Sequence, residues 1–343
     1  MTETLRIAIV GAGVIGAVHA RLTARLGSAG ALAAVVDLDD ARARSLAADY
    51  GVRPYTSALD AYRAQRIDVA AICLPSAYHA DAVVEALEAG VDVIVEKPID
   101  VTLEAADRVI AAEKATGRTV SVVSQRRFQP VASFLHSAVT SGDLGRMTSG
   151  VVESAFFRPQ EYYSSGDWRG TLAVDGGGAL MNQGIHALDL LLWMLGDPIS
   201  VSARTGRLAH EGIEVEDVAG ATIEFASGAI GLMLASTAAY PGLPVRLALH
   251  GDKGTAVMEN DGLSFFESVS SPRPNSEALS EGETPAGWSS VDVAHHRQYL
   301  DVLDAIRSKR APAITTADGR RALEVVLAVY ESARTGQPVG ISE

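Results

Sequence analysis

Through the first third of the chain, short apolar runs alternate with stretches whose apolar residues recur at helical spacing. LRIAIV (5–10), ALAAVVD (31–37), IDVAAICL (67–74), VDVIVE (91–96) and TVSVVS (119–124) are nearly continuous in apolar character, the pattern of strands buried on both faces. Helices are predicted between them at about 14–26, 40–51, 79–90 and 102–117, followed by one at about 130–141. Gly51 stands where a helix C-terminus favours glycine, and Thr102 is placed to cap the helix that follows it. Strands and helices in this alternation predict a doubly wound parallel sheet covered on both faces.

From Met147 the pattern changes. Candidate strands at 147–157, 199–209, 215–226, 229–240, 244–250 and 255–259 follow one another closely, several across short turns such as ASG (226–228) and GDKG (251–254). That spacing predicts a large, open, mostly antiparallel sheet. One long helix, about 179–195, interrupts it, and two more, about 293–309 and 317–335, close the chain. The stretch 268–290, rich in Ser, Pro, Gly and Glu, is expected to be a mobile surface loop. The fold class is therefore α/β: an N-terminal Rossmann domain over 1–124, then a C-terminal α+β domain over 125–343 for substrate binding and oligomerisation.

Composition narrows the partners. The 343 residues are 48% hydrophobic and 21% charged, enough for two ordinary cores, with a formal net charge of −13. No Lys/Arg run offers the clustered cations that nucleic acid demands. No apolar run reaches the length of a membrane span, and no leader-like segment precedes Leu5, so a cytoplasmic location is expected. The single cysteine, Cys73, sits in an apolar run and is expected to be a small buried hydrophobe.

Candidate chemistry begins at the first strand–helix junction. IVGAGVIGAVHA places Gly11, Gly13 and Gly16 as G-x-G-x-x-G between a strand and a helix. Gly11 permits the tight turn, Gly13 lets the backbone approach a pyrophosphate, and Gly16 lets helix and strand pack closely. The backbone N–H groups of Val14, Ile15 and Gly16 would face the phosphates. Asp37 ends the second strand, where an acid can hydrogen-bond the adenosine ribose. With Asp39 and Asp40 nearby it would repel a 2′-phosphate, so NAD is expected rather than NADP; Asp39 or Asp40, by preference Asp40, caps the next helix.

The fourth main strand ends in Glu96, Lys97 and Pro98. Ligands of an open parallel sheet bind beyond the carboxyl ends of its strands, which directs Lys97 towards the nicotinamide. Pro98 restricts the residue before it to an extended or turn geometry. Glu96 either orients that turn or is a structural carboxylate. A lone lysine at a strand end is usually solvated surface, so the assignment needs further motifs.

Those motifs exist. GAGVIG (11–16), LPSAYH (74–79), EKP (96–98) and GGGALMNQGIHALD (176–189) together resemble the Gfo/Idh/MocA oxidoreductases, and the resemblance runs on to AVYESARTGQPV (328–339). It implies the two-domain fold, NAD as cofactor, oxidation of a sugar or cyclitol hydroxyl or reduction of the ketone, and a homodimer or homotetramer. It also implies that Lys97 is the catalytic lysine and that Leu74, Pro75 and His79 lie near the cofactor. The chemistry agrees: a nearby cation stabilises the alkoxide that develops as hydride leaves, and a base takes the hydroxyl proton.

Asn182, His186 and Asp189 fall at i, i+4 and i+7, one polar stripe of a helix that a glycine triplet precedes. Within the resemblance His186 takes part in catalysis. Many family members have aspartate where this chain has Asn182; asparagine can hydrogen-bond a hydroxyl but does not titrate, so a Lys–Asp–His relay gives way to proton movement through Lys97, His186 or both. Asp189 orients the helix or His186. No H-E-x-x-H motif or cysteine partner supports a metal site. In YYSSGDWRGT (162–171) Trp168 can pack on cofactor or substrate and Arg169 can meet a phosphate, or the pair is a core tryptophan with a surface arginine. One of Gln125, Arg126 and Arg127 can line the cleft. His295 and His296 are expected to face solvent at the start of a helix. Two other functions fit the same motifs: a glycosidase that retains its NAD, and a non-catalytic sensor that binds the cofactor.

Overall fold

The computed structural model describes residues 4–275, 279 and 284–341. It divides into two compact units: the chain as far as Gln125 together with Asp292–Arg320, and Arg126–Val291 together with the chain from Arg321 onwards.

The first unit is built on strands β1 (Leu5–Val10), β2 (Gly30–Val36), β3 (Arg53–Tyr55), β4 (Val69–Ile72), β5 (Asp92–Val95) and β6 (Val120–Val122). Its helices in the same stretch are α1 (Val14–Thr23), α2 (Asp40–Tyr50), α3 (Ala58–Ala64), α4 (His79–Glu88) and α5 (Leu103–Thr116). The strands pair in the order β3-β2-β1-β4-β5-β6, all parallel. The strand order reverses between β1 and β4, and the loops leaving them carry Gly11–Gly16 and Leu74–His79. This is where an open parallel sheet binds its ligand. Sequence patterning gave no expectation for β3 and α3; β3 is three residues long at the sheet edge, too short to show a period.

Helix caps follow the sequence with one correction. Thr102 accepts the N–H of Ala105, and Gly51 closes α2 in the left-handed region at φ 65°. Asp39, not Asp40, caps α2: its carboxylate accepts from Ala41 and Arg42, while Asp40 is already helical and reaches Arg44 one turn on.

The second unit contains α6 (Pro130–Thr140), β7 (Met147–Ala155), the short α7 (Gln160–Tyr163), a π-helical turn at Leu180–Gly184, and α8 (Ile185–Leu195). Strands β8 (Pro198–Gly206), β9 (Val218–Phe225), β10 (Ile230–Ser236), β11 (Arg246–Gly251), β12 (Gly254–Glu259) and β13 (Gly262–Ser268) follow. The chain then forms α9 (Ser290–Ser308), α10 (Thr316–Thr335) and β14 (Val339–Gly340). The sheet order is β13-β12-β11-β7-β10-β9-β8-β14, antiparallel except for β7 beside β10. Helix α8 packs closely on this sheet because Gly150 leaves no room for a Cβ, which would meet Leu191 at 2.7 Å and Leu195 at 3.0 Å. The expected single helix 179–195 is in fact the π turn followed by α8. Of the stretch expected to be a loop, 276–278 and 280–283 lie outside the described residues.

Helix α9 belongs to the first unit, where Tyr299, Val302 and Leu303 join the core of Ile7, Ile9 and Val35. His295 is buried there rather than facing solvent, and His296 is half-buried; the helix turns these positions inward because its apolar face needs the sheet. Among the described residues, no helix is long and apolar enough to cross a membrane.

Candidate functional site

The turn after β1 is shaped by what its glycines exclude. Gly11 has φ 103°, and a Cβ there would meet the Cys73 carbonyl oxygen at 2.5 Å; at Gly16 it would meet the Gly11 carbonyl oxygen at 1.8 Å. Gly13 differs: nothing lies within 4 Å of its absent Cβ. Gly13 is also the N-cap of α1, with no side-chain cap and no acid in the first turn. The first-turn N–H groups of Val14, Ile15 and Gly16 therefore have no internal carboxylate, as an anion site at a helix start requires. Asp37 accepts the N–H of Ala12 (2.8 Å) with one oxygen and that of Asp39 (2.9 Å) with the other, which fixes the carboxylate beside the turn. Each oxygen keeps a second lone pair for a ribose hydroxyl. These residues fit a dinucleotide.

In the loops after β4 and β5, His79 is fully buried, with Nε2 2.8 Å from the Leu74 carbonyl and Nδ1 2.7 Å from that of Pro98. It ties the Leu74–Pro75 turn to the EKP turn. Burial holds this imidazole below its ordinary range, against the pull of the two carbonyls. Glu96 is buried; its Oε1 lies 2.9 Å from His19 Nε2, and its Oε2 accepts the N–H of Lys97 at 3.1 Å. Lys97 is the one residue of 91–100 that is not buried. Sequence reasoning passed over His19. Its partners stand 77 and 280 residues away, beyond the reach of any local pattern.

In the second unit, the glycine triplet is packed from both sides. A Cβ on Gly177 would meet the Tyr330 hydroxyl at 2.2 Å, and one on Gly178 would meet the Glu216 carbonyl oxygen at 1.7 Å. The buried carboxylate of Glu216 accepts from Gly178 N (2.9 Å), Leu180 N (2.8 Å) and the Tyr330 hydroxyl (3.1 Å). Burial raises this carboxyl above its ordinary range, and the hydrogen bonds only partly offset it. Asn182 donates to Asp175 Oδ1 (2.9 Å) and to the Gly177 carbonyl (3.0 Å), and Asp175 also accepts the N–H of Gly170.

The polar stripe is therefore divided. Asp189 is buried in a two-pronged ion pair with Arg127, at 2.6 and 2.8 Å, and serves to anchor α8. This also separates Arg127 from Gln125 and Arg126, which the sequence alone could not do. Asn182 and His186 are half-buried: from 177 to 192 they alone are not buried. Trp168 and Arg169 are half-buried; the Arg169 guanidinium sits 4.5 Å from the ring centroids of both Trp168 and Tyr162, and donates to the Tyr162 hydroxyl at 2.9 Å.

Comparison with known proteins places the chain in a family. Residues 5–124 match the oxidoreductase family with an NAD-binding Rossmann fold, and residues 134–257 match the GFO/IDH/MocA C-terminal domain. The chain is 31% identical over 265 residues to an inositol 2-dehydrogenase of Rhizobium meliloti, covering 75% of this chain and 76% of that protein. It is 25% identical to the NAD-dependent scyllo-inositol 2-dehydrogenase of Bacillus subtilis, covering 99% and 97% respectively. Among solved structures, the WlbA dehydrogenase of Bordetella pertussis, in complex with NADH and UDP-GlcNAcA, superposes with a TM-score of 0.88 at 28% identity, over 99% of each chain. The chain belongs to the Gfo/Idh/MocA family, NAD-binding oxidoreductases that include sugar and inositol dehydrogenases.

Proposed function

We propose that this protein moves hydride between NAD and the carbinol carbon of a sugar, cyclitol or sugar derivative, with Lys97 and His186 handling the proton. The observation that carries this is the burial pattern. In two otherwise buried runs, 91–100 and 177–192, the only residues left partly open are Lys97, Asn182 and His186. A lysine and an imidazole can exchange the hydroxyl proton, and an amide can orient the hydroxyl.

NAD supplies the hydride acceptor. Gly13 and the first turn of α1 would hold its pyrophosphate, Asp37 would hold the adenosine ribose, and Leu74 and Pro75 would line the nicotinamide half, with His79 and Glu96 keeping those turns in shape. In the oxidising direction the carbinol C–H bond breaks, its electron pair leaves with the hydride, and the O–H proton passes to Lys97 or His186. Lys97 as ammonium stabilises negative charge on the substrate oxygen. Asn182 cannot exchange a proton in this range, so it orients the hydroxyl. Its amide N–H groups donate to Asp175 and to the Gly177 carbonyl, which holds the amide in a fixed orientation. Trp168 and Arg169 give an aromatic face and a cation for the ring or an acidic substituent.

The outward face of the second sheet supports self-association. Ile230, Leu232 and Leu234 alternate along β10 with exposures of 49, 46 and 40%, a patch that a second copy would cover. A homodimer or homotetramer built on it should fall to monomer in Leu232→Glu by light scattering; an unchanged mass removes the assignment.

The activity is tested by NADH formation on inositols, free sugars, sugar acids and nucleotide-linked sugars, with NAD and with NADP. Turnover on one group, with NAD preferred, is expected. Silence on every group, with NAD still tightly bound, would turn the assignment towards a retained-cofactor glycosidase or a sensor.

A further inference from the structure

Beneath Lys97, Glu96 joins two buried side chains that have no part in the proposed reaction, His19 and Tyr299. His19 on α1, Glu96 after β5 and Tyr299 on α9 are all buried, and they meet from three elements far apart in sequence. His19 Nε2 lies 2.9 Å from Glu96 Oε1, and His19 Nδ1 lies 2.6 Å from the Tyr299 hydroxyl. The other oxygen of Glu96 accepts the backbone N–H of Lys97. His295 adds a ring edge-on to His19, with centroids 5.7 Å apart.

We propose that Tyr299, His19 and Glu96 are positioning residues for Lys97: a hydrogen-bonded chain of fixed direction that holds its backbone and tunes the pH at which it gives up its proton. This rests on Lys97 handling the proton in the reaction proposed above.

The direction of the chain follows from its ends. Burial, then Cys73 and Glu96, hold the Tyr299 phenol well above its ordinary range, so it keeps its proton and donates. Burial alone would push Glu96 up; His19, Lys97 and His295 outweigh it and hold the carboxyl well below its usual range, so it accepts. The ring between them then carries its proton on Nε2, donates to Glu96 and accepts from Tyr299. The groups facing this carboxylate are His19 from α1, His295 and, through His19, Tyr299 from α9, Cys73 from the end of β4, His79 from α4, and Lys97 itself. A buried carboxylate is costly, and a neutral or apolar group would fill the same space with less penalty. What the charge adds is an interaction with Lys97, which favours the ammonium form. His19, Glu96 and His295 also bring one donor atom each within 4.8 Å of one another. With both nitrogens of His19 already engaged, the hydrogen-bonded chain explains the grouping without an ion.

The test is the pH profile of kcat for alcohol oxidation in Glu96→Gln and Tyr299→Phe, with NADH affinity and metal content measured on each. Glu96→Gln removes the negative charge beside the ammonium, so the limb that rises with pH should move down by about one unit. Tyr299→Phe takes a hydrogen bond from His19, weakens its hold on the carboxylate, and leaves more charge to Lys97. Its limb should move up by a few tenths of a unit, on the order of one neutral hydrogen bond in a network. NADH affinity should stay within about twofold in Tyr299→Phe, whose hydroxyl does not lie on the phosphate turn; in Glu96→Gln it is followed so that a change in cofactor binding is separated from the shift of the profile. Profiles that coincide with the wild type, with kcat lowered evenly, would overturn the proposal, as would a stoichiometric divalent ion held by the wild type. If Glu96→Gln does not fold, Tyr299→Phe, which removes one hydroxyl, decides alone. Lys97→Ala separates the two layers. Turnover surviving there would defeat the underlying reading; a dead Lys97→Ala with unmoved profiles in the other two would defeat this inference alone.

Discussion

The turn Gly11–Gly16 and the turn Gly176–Gly178 both lead into helices, and both contain glycines whose Cβ would collide with a backbone oxygen, 1.8 Å away at Gly16 and 1.7 Å at Gly178. They differ in what meets the first N–H groups. At the second turn the protein supplies its own anion: Glu216 accepts from Gly178 and Leu180. At the first it supplies none, and the space at Gly13 is open. A glycine-rich helix start thus becomes a ligand site or an internal joint according to whether a carboxylate from elsewhere in the chain fills it.

The largest effect should come from the internal carboxylates of the second unit. Arg127→Ala leaves Asp189 buried without its two-pronged partner, and should cost about 3–5 kcal/mol in denaturant unfolding. A midpoint within error of the wild type would show that the pair does not anchor α8. Next come the glycines. Gly178→Ala should destabilise by on the order of 3 kcal/mol, because backbone must move. Gly13→Ala has φ −78° and open space, so it should keep the wild-type melting temperature while losing NAD affinity about tenfold, or 1.4 kcal/mol. Equal effects on stability and binding at the two positions would erase the distinction drawn between the turns.

The smallest effect is one of pH. Asp217, next to Glu216, is also buried, but the N–H groups of Leu208, Ala209 and His210 and the His210 ring outweigh burial and hold it below the ordinary range. A depressed carboxyl adds stability above its unfolded value, about 3.9, and that stability is lost as pH falls through the folded value. Glu216 is raised, so its contribution is complete below its unfolded value, about 4.3, and is lost as pH rises through the folded one. Asp217→Asn should therefore cost more at pH 7 than at pH 4, and Glu216→Gln more at pH 4 than at pH 7. Parallel pH curves for the two variants would contradict these opposite signs.

Much of this was legible in the sequence. The five main apolar runs of the first unit and its glycine turn are local patterns, and the predicted parallel sheet forms from them. The resemblance through EKP and the 176–189 segment indicated the family before any fold was known. Four things were not legible. Glu216 reaches the glycine triplet from 36 and 38 residues away, and Tyr299 reaches His19 from 280, so no spacing rule connects them. The π turn at Leu180–Gly184 shifts the wheel on which Asn182, His186 and Asp189 seemed to share one face. Asp39 and Asp40 are adjacent acids, and only backbone geometry shows that Asp39 is the cap. His295 turns inward because α9 returns to the first unit, which depends on tertiary packing and not on the residue's own neighbours.

The most direct measurement is single-turnover hydride transfer in Lys97→Ala, with NADH binding followed on the same preparation. Loss of transfer by on the order of a thousandfold, with NADH bound as tightly as in the wild type, is predicted for a residue that handles the proton and not the cofactor. Transfer at the wild-type rate would contradict that role for Lys97.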